Sequence, residues 1–486
     1  MTKTVLLAML LFACGSTSHT LPGSADPSTP GGGANHDPFA PQADESEGLT
    51  NTSTDLDALL EHGALTGACD RYRAGATDRK TMLLCGKWMY FYETFGTLGI
   101  PRTLVSFMGK NFPAELGTGF SKLGLIPDPS STDGLPLGFA PTTPFRGNIE
   151  AVAFTCASCH AARLPDGRYS VGAPNHAFDY GRYILMLTIA PTVATGRSQP
   201  SAHDPDAIAK IQPVLDRLAA DTMLKLQFFS ALLPLAGIKL PVLSTAIEHD
   251  YATWPAGTMD FMIAPLPFDD NIHTVSKIIG LWSIPRPDEL TAAGMRSALL
   301  AWTGDARSLD EFVKGVATLG STAPPNADAM RPLLEYIYSL RAPANPAPPA
   351  PALVATGEAL YRDKGCATCH GGPRGSGTRA YTFAEIGTDP ALAGWADPTQ
   401  SGSACCGLDI APGQLTHGVK SPRLIGTWAL GRFLHNGAVQ TLDQLFCLTP
   451  RSPIGTEPMR SDGHAFTCDG LSDDDKHALK AYLLAH

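Results

Sequence analysis

Two stretches of the chain read Cys-x-x-Cys-His: Cys156-Ala157-Ser158-Cys159-His160 and Cys366-Ala367-Thr368-Cys369-His370. Thiols about one helical turn apart reach the two vinyl groups of one porphyrin, and the adjacent imidazole then sits under the iron as proximal ligand. With 11 Cys and 14 His in 486 residues, an accidental copy arises roughly once in a hundred such chains, and two far less often. Cys-x-x-Cys also serves structural zinc, but here each copy carries the immediately following His. The spacing therefore implies two covalently bound haem c groups, with His160 and His370 as proximal ligands. What faces each iron on the other side decides between electron transfer and catalysis, because two strong protein ligands exclude peroxide and oxygen.

The elements that must position these residues fall into a simple order. Lys3 and the short apolar run Val5 to Ala13 read as a secretion signal, and Leu11-Phe12-Ala13-Cys14 is similar to a bacterial lipoprotein cleavage site, which implies Cys14 as the lipidated residue; Phe12 is bulkier than the usual residue there, and plain signal cleavage is the alternative. Residues 15–55 are Gly, Pro, Ser, Thr and Asp with few large apolar side chains, and read as a flexible tether. A first domain over 56–340 carries His160. A Pro-rich linker over 341–353 follows, and a second domain over 354–486 carries His370. Helical spacing is expected over 55–65, 81–95, 180–189 and 206–236, and Met223 to Leu243 reads as a buried helix or an apolar pocket wall. Ser472 caps a terminal helix with acidic residues in its first turn. No alternating strand pattern stands out. The expected fold is mostly α: two cytochrome c-like haem domains with long loops, the N-terminal one enlarged by insertions.

Setting aside Cys14 and the four motif cysteines leaves Cys69, Cys85, Cys405, Cys406, Cys447 and Cys468. An even remainder in an exported chain suggests disulfides, with Cys69–Cys85 and Cys447–Cys468 the preferred pairs. The net charge of −10 argues against nucleic acid and favours a basic redox partner. An internal echo relates Gly304…Leu309-Asp310 to Gly437…Leu442-Asp443. Trp302 and His435 stand two residues before each Gly, and similar runs precede at Lys277 to Trp282 and Lys420 to Ile425. Trp282 and Trp302 are candidates for a relay between haems, Arg423 and Lys420 for neutralising propionates, and His435 for a supporting hydrogen bond.

Thr356 to Gly365, directly before Cys366, resembles the first helix of a class I cytochrome c. Pro422 to Leu442, with Leu434-His435-Asn436-Gly437 and Thr441-Leu442 inside it, resembles the bacterial dihaem cytochrome c peroxidase superfamily. The Leu-His-Asn-Gly version and Gly463-His464 are closer to its rubber-oxygenase-like branch. The resemblance implies His464 as sixth ligand of the second haem, with Met459 as the alternative, since no Met follows Thr441-Leu442 directly. His176 follows His160 at the interval of the peroxidases' distal His, which implies a ligand or distal acid/base, although the oxygenase branch leaves that haem open. It further implies a calcium ion between the domains, and hydrogen peroxide reduction in the periplasm with electrons from a small cytochrome c or cupredoxin. Two alternatives stay open: O₂-dependent cleavage of an apolar C=C substrate, and pure electron transfer.

Overall fold

The computed structural model describes residues 37–97, 99–145, 149–235, 243–260, 275–304, 306–320, 326–393, 418–453, 455 and 458–486. The signal region, Cys14, Cys405 and Cys406 lie outside the described residues. Helices dominate, and two crossings of the same design organise the chain. In the first half Arg79–Tyr92, capped by the Asp78 carboxylate, crosses Ala327–Ser339, capped by Asn326. In the second half Pro351–Asp363 crosses Asp473–Leu484. Close approach needs a residue without Cβ at each crossing. A Cβ on Gly86 would lie 2.0 Å from the Pro332 carbonyl oxygen, and one on Gly357 would lie 2.0 Å from that of Ala478. Four residues further along each first helix a tyrosine turns toward the motif: Tyr90 donates to the His160 carbonyl at 2.6 Å and Tyr361 to the His370 carbonyl at 2.7 Å. Each also packs on a tyrosine of the crossing helix, Tyr336 and Tyr482. The terminal helix starts as its sequence suggests, with Ser472 accepting from the Asp475 amide.

The first half is the larger. Tyr180–Ala194, Pro205–Ala220 and Thr245–Thr253 pack on one another around Ile184, Ile211, Val214 and Ile247. The helical stretch expected over 206–236 breaks at Asp221, whose side chain caps a second helix, Thr222–Leu232. That helix is not buried as expected. It covers Leu224 and Phe228 but leaves Met223 and Leu226 more than half exposed, and Leu233 beyond it likewise. Among the described residues no single helix is long and apolar enough to cross a membrane.

Strands are present where none was expected. Among the described residues there are four small antiparallel sheets, including Thr258–Asp260 with Val275–Lys277 and Ala380–Thr382 with Gly418–Lys420. At two to seven residues each, they are too short for alternation to register.

The segment expected as a tether is packed over its described part. Phe39 joins the second-half core, edge-on to Tyr361 and Tyr482 and stacked on His486 at 4.3 Å. Glu45 pairs with Arg79, Arg286 and Arg341. Asn51 accepts from the Tyr336 hydroxyl at 2.7 Å, and Thr52–Ser53 adds a strand beside Tyr169–Val171. A low average apolar content hid a few well-placed anchors. The Pro-rich stretch is also held down: Asn345 donates to the Leu484 carbonyl, and the Trp428 indole donates to that of Pro343.

Candidate functional site

Cys156–His160 is a single helical turn entered directly from the Ile149–Phe154 strand. Thr155 fixes the junction, its hydroxyl donating to the Phe91 carbonyl, and Ser158 donates back to Thr155. Both thiols are unpaired, and burial pushes Cys156 up to about 12 and Cys159 up to about 11, so they stand as neutral S–H groups. Burial also brings the His160 imidazole down to about 4. Its Nδ1 lies 2.9 Å from the Ile279 carbonyl; the carbonyl accepts, so Nδ1 carries the proton and Nε2 keeps a free lone pair.

The second motif repeats the arrangement. Gly365, at φ 78°, turns the chain into Cys366–His370. His370 Nδ1 lies 2.8 Å from the Gly375 carbonyl, with the Pro422 backbone as a further partner. Pro422 belongs to the run that echoes the one containing Ile279, so both imidazoles hang from corresponding segments. Among the described residues the only three His, Cys, Asp or Glu side chains that converge as a metal set are Asp204, Asp206 and His249. The exposed Asp204 trio caps the Pro205–Ala220 helix in the first half and is not the expected calcium site between domains.

A second imidazole faces His370. The ring centres of His370 and His464 are 6.4 Å apart, with planes at 69°. Metal–imidazole bonds of about 2.0 Å, with each ring centre about 1.2 Å beyond its nitrogen, place two facing ring centres a little over 6 Å apart. One iron fits that gap. Burial, reinforced by the neighbouring His370, takes His464 down to about 3, the neutral form a metal needs. Its loop is held from within. Arg451 donates to the carbonyls of Leu445, Ser461 and Gly463, and the Cys447–Cys468 disulfide closes the loop around it. The other preferred pair, Cys69–Cys85, also forms. Met459, the alternative ligand, packs instead against the first-half core. Arg451 carries no motif and is missed by sequence reasoning. Tyr90 and Tyr361 become visible only once the Gly-x-x-x-Tyr spacing before each motif is compared.

His176 does not take the expected position. Its Nε2 lies 2.9 Å from the Ile278 carbonyl, and its Nδ1 accepts from the Gly431 amide at 3.1 Å. Both nitrogens are engaged by backbone, so neither can ligate iron or shuttle a proton in this conformation. It is tied to the segment that holds Nδ1 of His160, rather than set across from the free Nε2. Among the described residues no imidazole faces His160 as His464 faces His370.

Between the halves lies a small cleft, lined by His176, Lys277, Trp282, Trp302, Lys420 and Arg423 among others. The halves meet there by reciprocal bonds: the Lys277 amide donates to the His435 carbonyl at 2.7 Å, and the Lys420 amide to the Trp302 carbonyl at 2.9 Å. Trp302 and His435 are the matching positions of the internal echo. Trp302 and Trp282 are buried, their indoles donating to the carbonyls of Lys277 and Val171. His435 is buried with Nδ1 3.4 Å from the Thr388 hydroxyl. Arg423 donates to the carbonyls of Gly280 and Trp282 at 2.7 and 3.1 Å.

No protein-family model matches the chain, and no curated protein does. Among solved structures it is similar to hydrazine synthase of Kuenenia stuttgartiensis, determined under 20 bar of xenon. The match has 17% identity and a TM-score of 0.28, over 49% of this chain and 79% of that one. A likeness that loose assigns neither family nor activity.

Proposed function

We propose that the protein is an exported dihaem c-type oxidoreductase that reduces hydrogen peroxide at the His160 site, with the His370–His464 site receiving electrons from a small periplasmic donor. The observation that carries this reading is the inequality of the two motifs. His370 has an imidazole opposite it at iron-spanning distance, whereas His176, the histidine expected to serve His160, has both nitrogens occupied by backbone.

Haem iron supplies one-electron chemistry and, where its sixth position is open, binds peroxide. The chain's own residues do the rest. Each pair of thiols, Cys156 with Cys159 and Cys366 with Cys369, would hold a porphyrin by adding S–H across its two vinyl groups. His160 and His370 present neutral Nε2 atoms, held by carbonyls at their Nδ1 atoms. Trp282 and Trp302 fill the space between the sites with aromatic rings. The reduction consumes two electrons and two protons per peroxide and yields two waters. The exposed Met223, Leu226 and Leu233 favour a second reading, an oxygenase acting on an apolar C=C substrate.

The test is electron paramagnetic resonance and optical titration of protein matured in a host that attaches haem c, followed by turnover with reduced cytochrome c or cupredoxin. One low-spin bis-imidazole signal, one high-spin signal and peroxide-dependent donor oxidation are expected. Two low-spin signals that persist on half-reduction would leave an electron carrier. O₂-dependent scission of a polyisoprenoid, without peroxide turnover, would favour the oxygenase.

A further inference from the structure

The cleft between the halves holds positive charge that no carboxylate among the described residues neutralises. Lys277 and Lys420 are only 7% and 5% exposed, in a protein whose net charge is −10. Neither lysine, nor Arg423 beside them, has a carboxylate partner among the described residues. Lys277 Nζ donates to the Arg432 carbonyl at 3.0 Å and sits over the Trp302 ring. The Arg423 guanidinium is spent on the carbonyls of Gly280 and Trp282, and Lys420 Nζ has no hydrogen-bond partner among the described residues. Burial brings Lys277 down to about 7 and Arg423 down to about 10; Lys420 is lowered by burial and then by the two neighbouring cations. Three buried cations that repel one another stay charged only where an anion joins them.

Their placement says which anion. The walls of the cleft include Ile279 and Pro422, the residues whose backbones hold His160 and His370. The lysines occupy corresponding positions of the internal echo, each at the end of a short strand, Val275–Lys277 and Gly418–Lys420. Each half thus contributes one lysine to a space bordered by the segments whose backbones hold His160 and His370.

We propose that Lys277, Lys420 and Arg423 form one carboxylate-binding cleft, shared by the two halves, for the propionate arms of the porphyrins attached beside His160 and His370. This rests on the two-haem reading above. The lysines act as binding residues for the group's rim, and the pairing across the halves makes each porphyrin's charge depend on both.

The experiment uses the full matured protein and the variants Lys277→Met, Lys420→Met and Lys420→Arg. Haem is counted first, by mass and by pyridine haemochrome spectra; fewer than two in the wild type defeats the two-haem reading itself. With two present, both Met variants are expected to lower a haem midpoint potential and to shift the propionate bending modes in resonance Raman spectra. Lys420→Arg is expected to restore both. Unchanged potentials and Raman modes in haem-replete Met variants overturn the cleft assignment and leave the two-haem reading standing. A potential shift without a Raman shift also overturns it, because the lysine then acts only as a distant charge. If added phosphate shifts the wild-type potentials saturably and the Met variants ignore it, the site takes a free anion, and the porphyrin assignment fails.

Discussion

Gly357→Ala tests the crossing that positions the second motif. The added Cβ would meet the Ala478 carbonyl oxygen at 2.0 Å and the Tyr482 Cβ at 2.7 Å, where ordinary contact begins near 3.4 Å. A carbonyl oxygen inside a helix cannot rotate away, so Pro351–Asp363 and Asp473–Leu484 must part by more than about 1 Å, and overpacking of that kind costs about 1–3 kcal/mol. Against this, alanine is favoured over glycine inside a helix by about 1 kcal/mol, so the net expectation is a loss of up to about 2 kcal/mol. Gly315, on the Leu309–Gly320 helix, is the control, since a Cβ there meets nothing within 4 Å. Gly315→Ala is therefore expected to stabilise by up to about 1 kcal/mol. Urea denaturation followed by far-ultraviolet circular dichroism gives both numbers. Parting the helices also pulls Tyr361 from the His370 carbonyl, so the spectrum of the second site should broaden in Gly357→Ala alone. If both variants gain stability, the crossing is not as close as described, and the reasoning that derives the Tyr361–His370 bond from it fails.

His464→Ala is expected to remove the low-spin bis-imidazole signal and leave high-spin iron in its place, read by electron paramagnetic resonance; a surviving bis-imidazole signal means another side chain ligates. Phe39→Ala is expected to destabilise the second half by about 3 kcal/mol, the range for deleting a core aromatic ring, because Phe39 packs on Tyr361, Tyr482 and His486. A free tether would show no change in the same denaturation experiment.

The features legible in the sequence are those whose information is local. Cys-x-x-Cys-His needs one helical turn, the Ser472 cap needs one residue and its neighbours, and the two disulfides join cysteines close along the chain. The duplication of Lys277 and Lys420, and of Trp302 and His435, was also legible. Its meaning was not, because the reciprocal bonds between halves appear only when distant segments meet. His176 shows the limit from the other side: the family resemblance implies a distal group there, yet the Ile278 carbonyl and the Gly431 amide, far off in sequence, take both its nitrogens. The packed stretch from Phe39 to Ser53 was hidden because composition averages over residues, whereas docking depends on a few of them. Arg451 organises the His464 loop through backbone carbonyls, which carry no side-chain signature at all.

The docking of that early stretch has a consequence for how the molecule comes together. Phe39 and the Pro38 carbonyl leave the ribosome long before their partners Arg374, Tyr482 and His486. Such long-range closure is slow, since loop entropy must be met before the contacts form. The second-half core stays incomplete until Tyr482 and His486 have been made. On the two-haem reading, the Cys366–His370 turn would stay open to thioether formation until Phe39 docks on them.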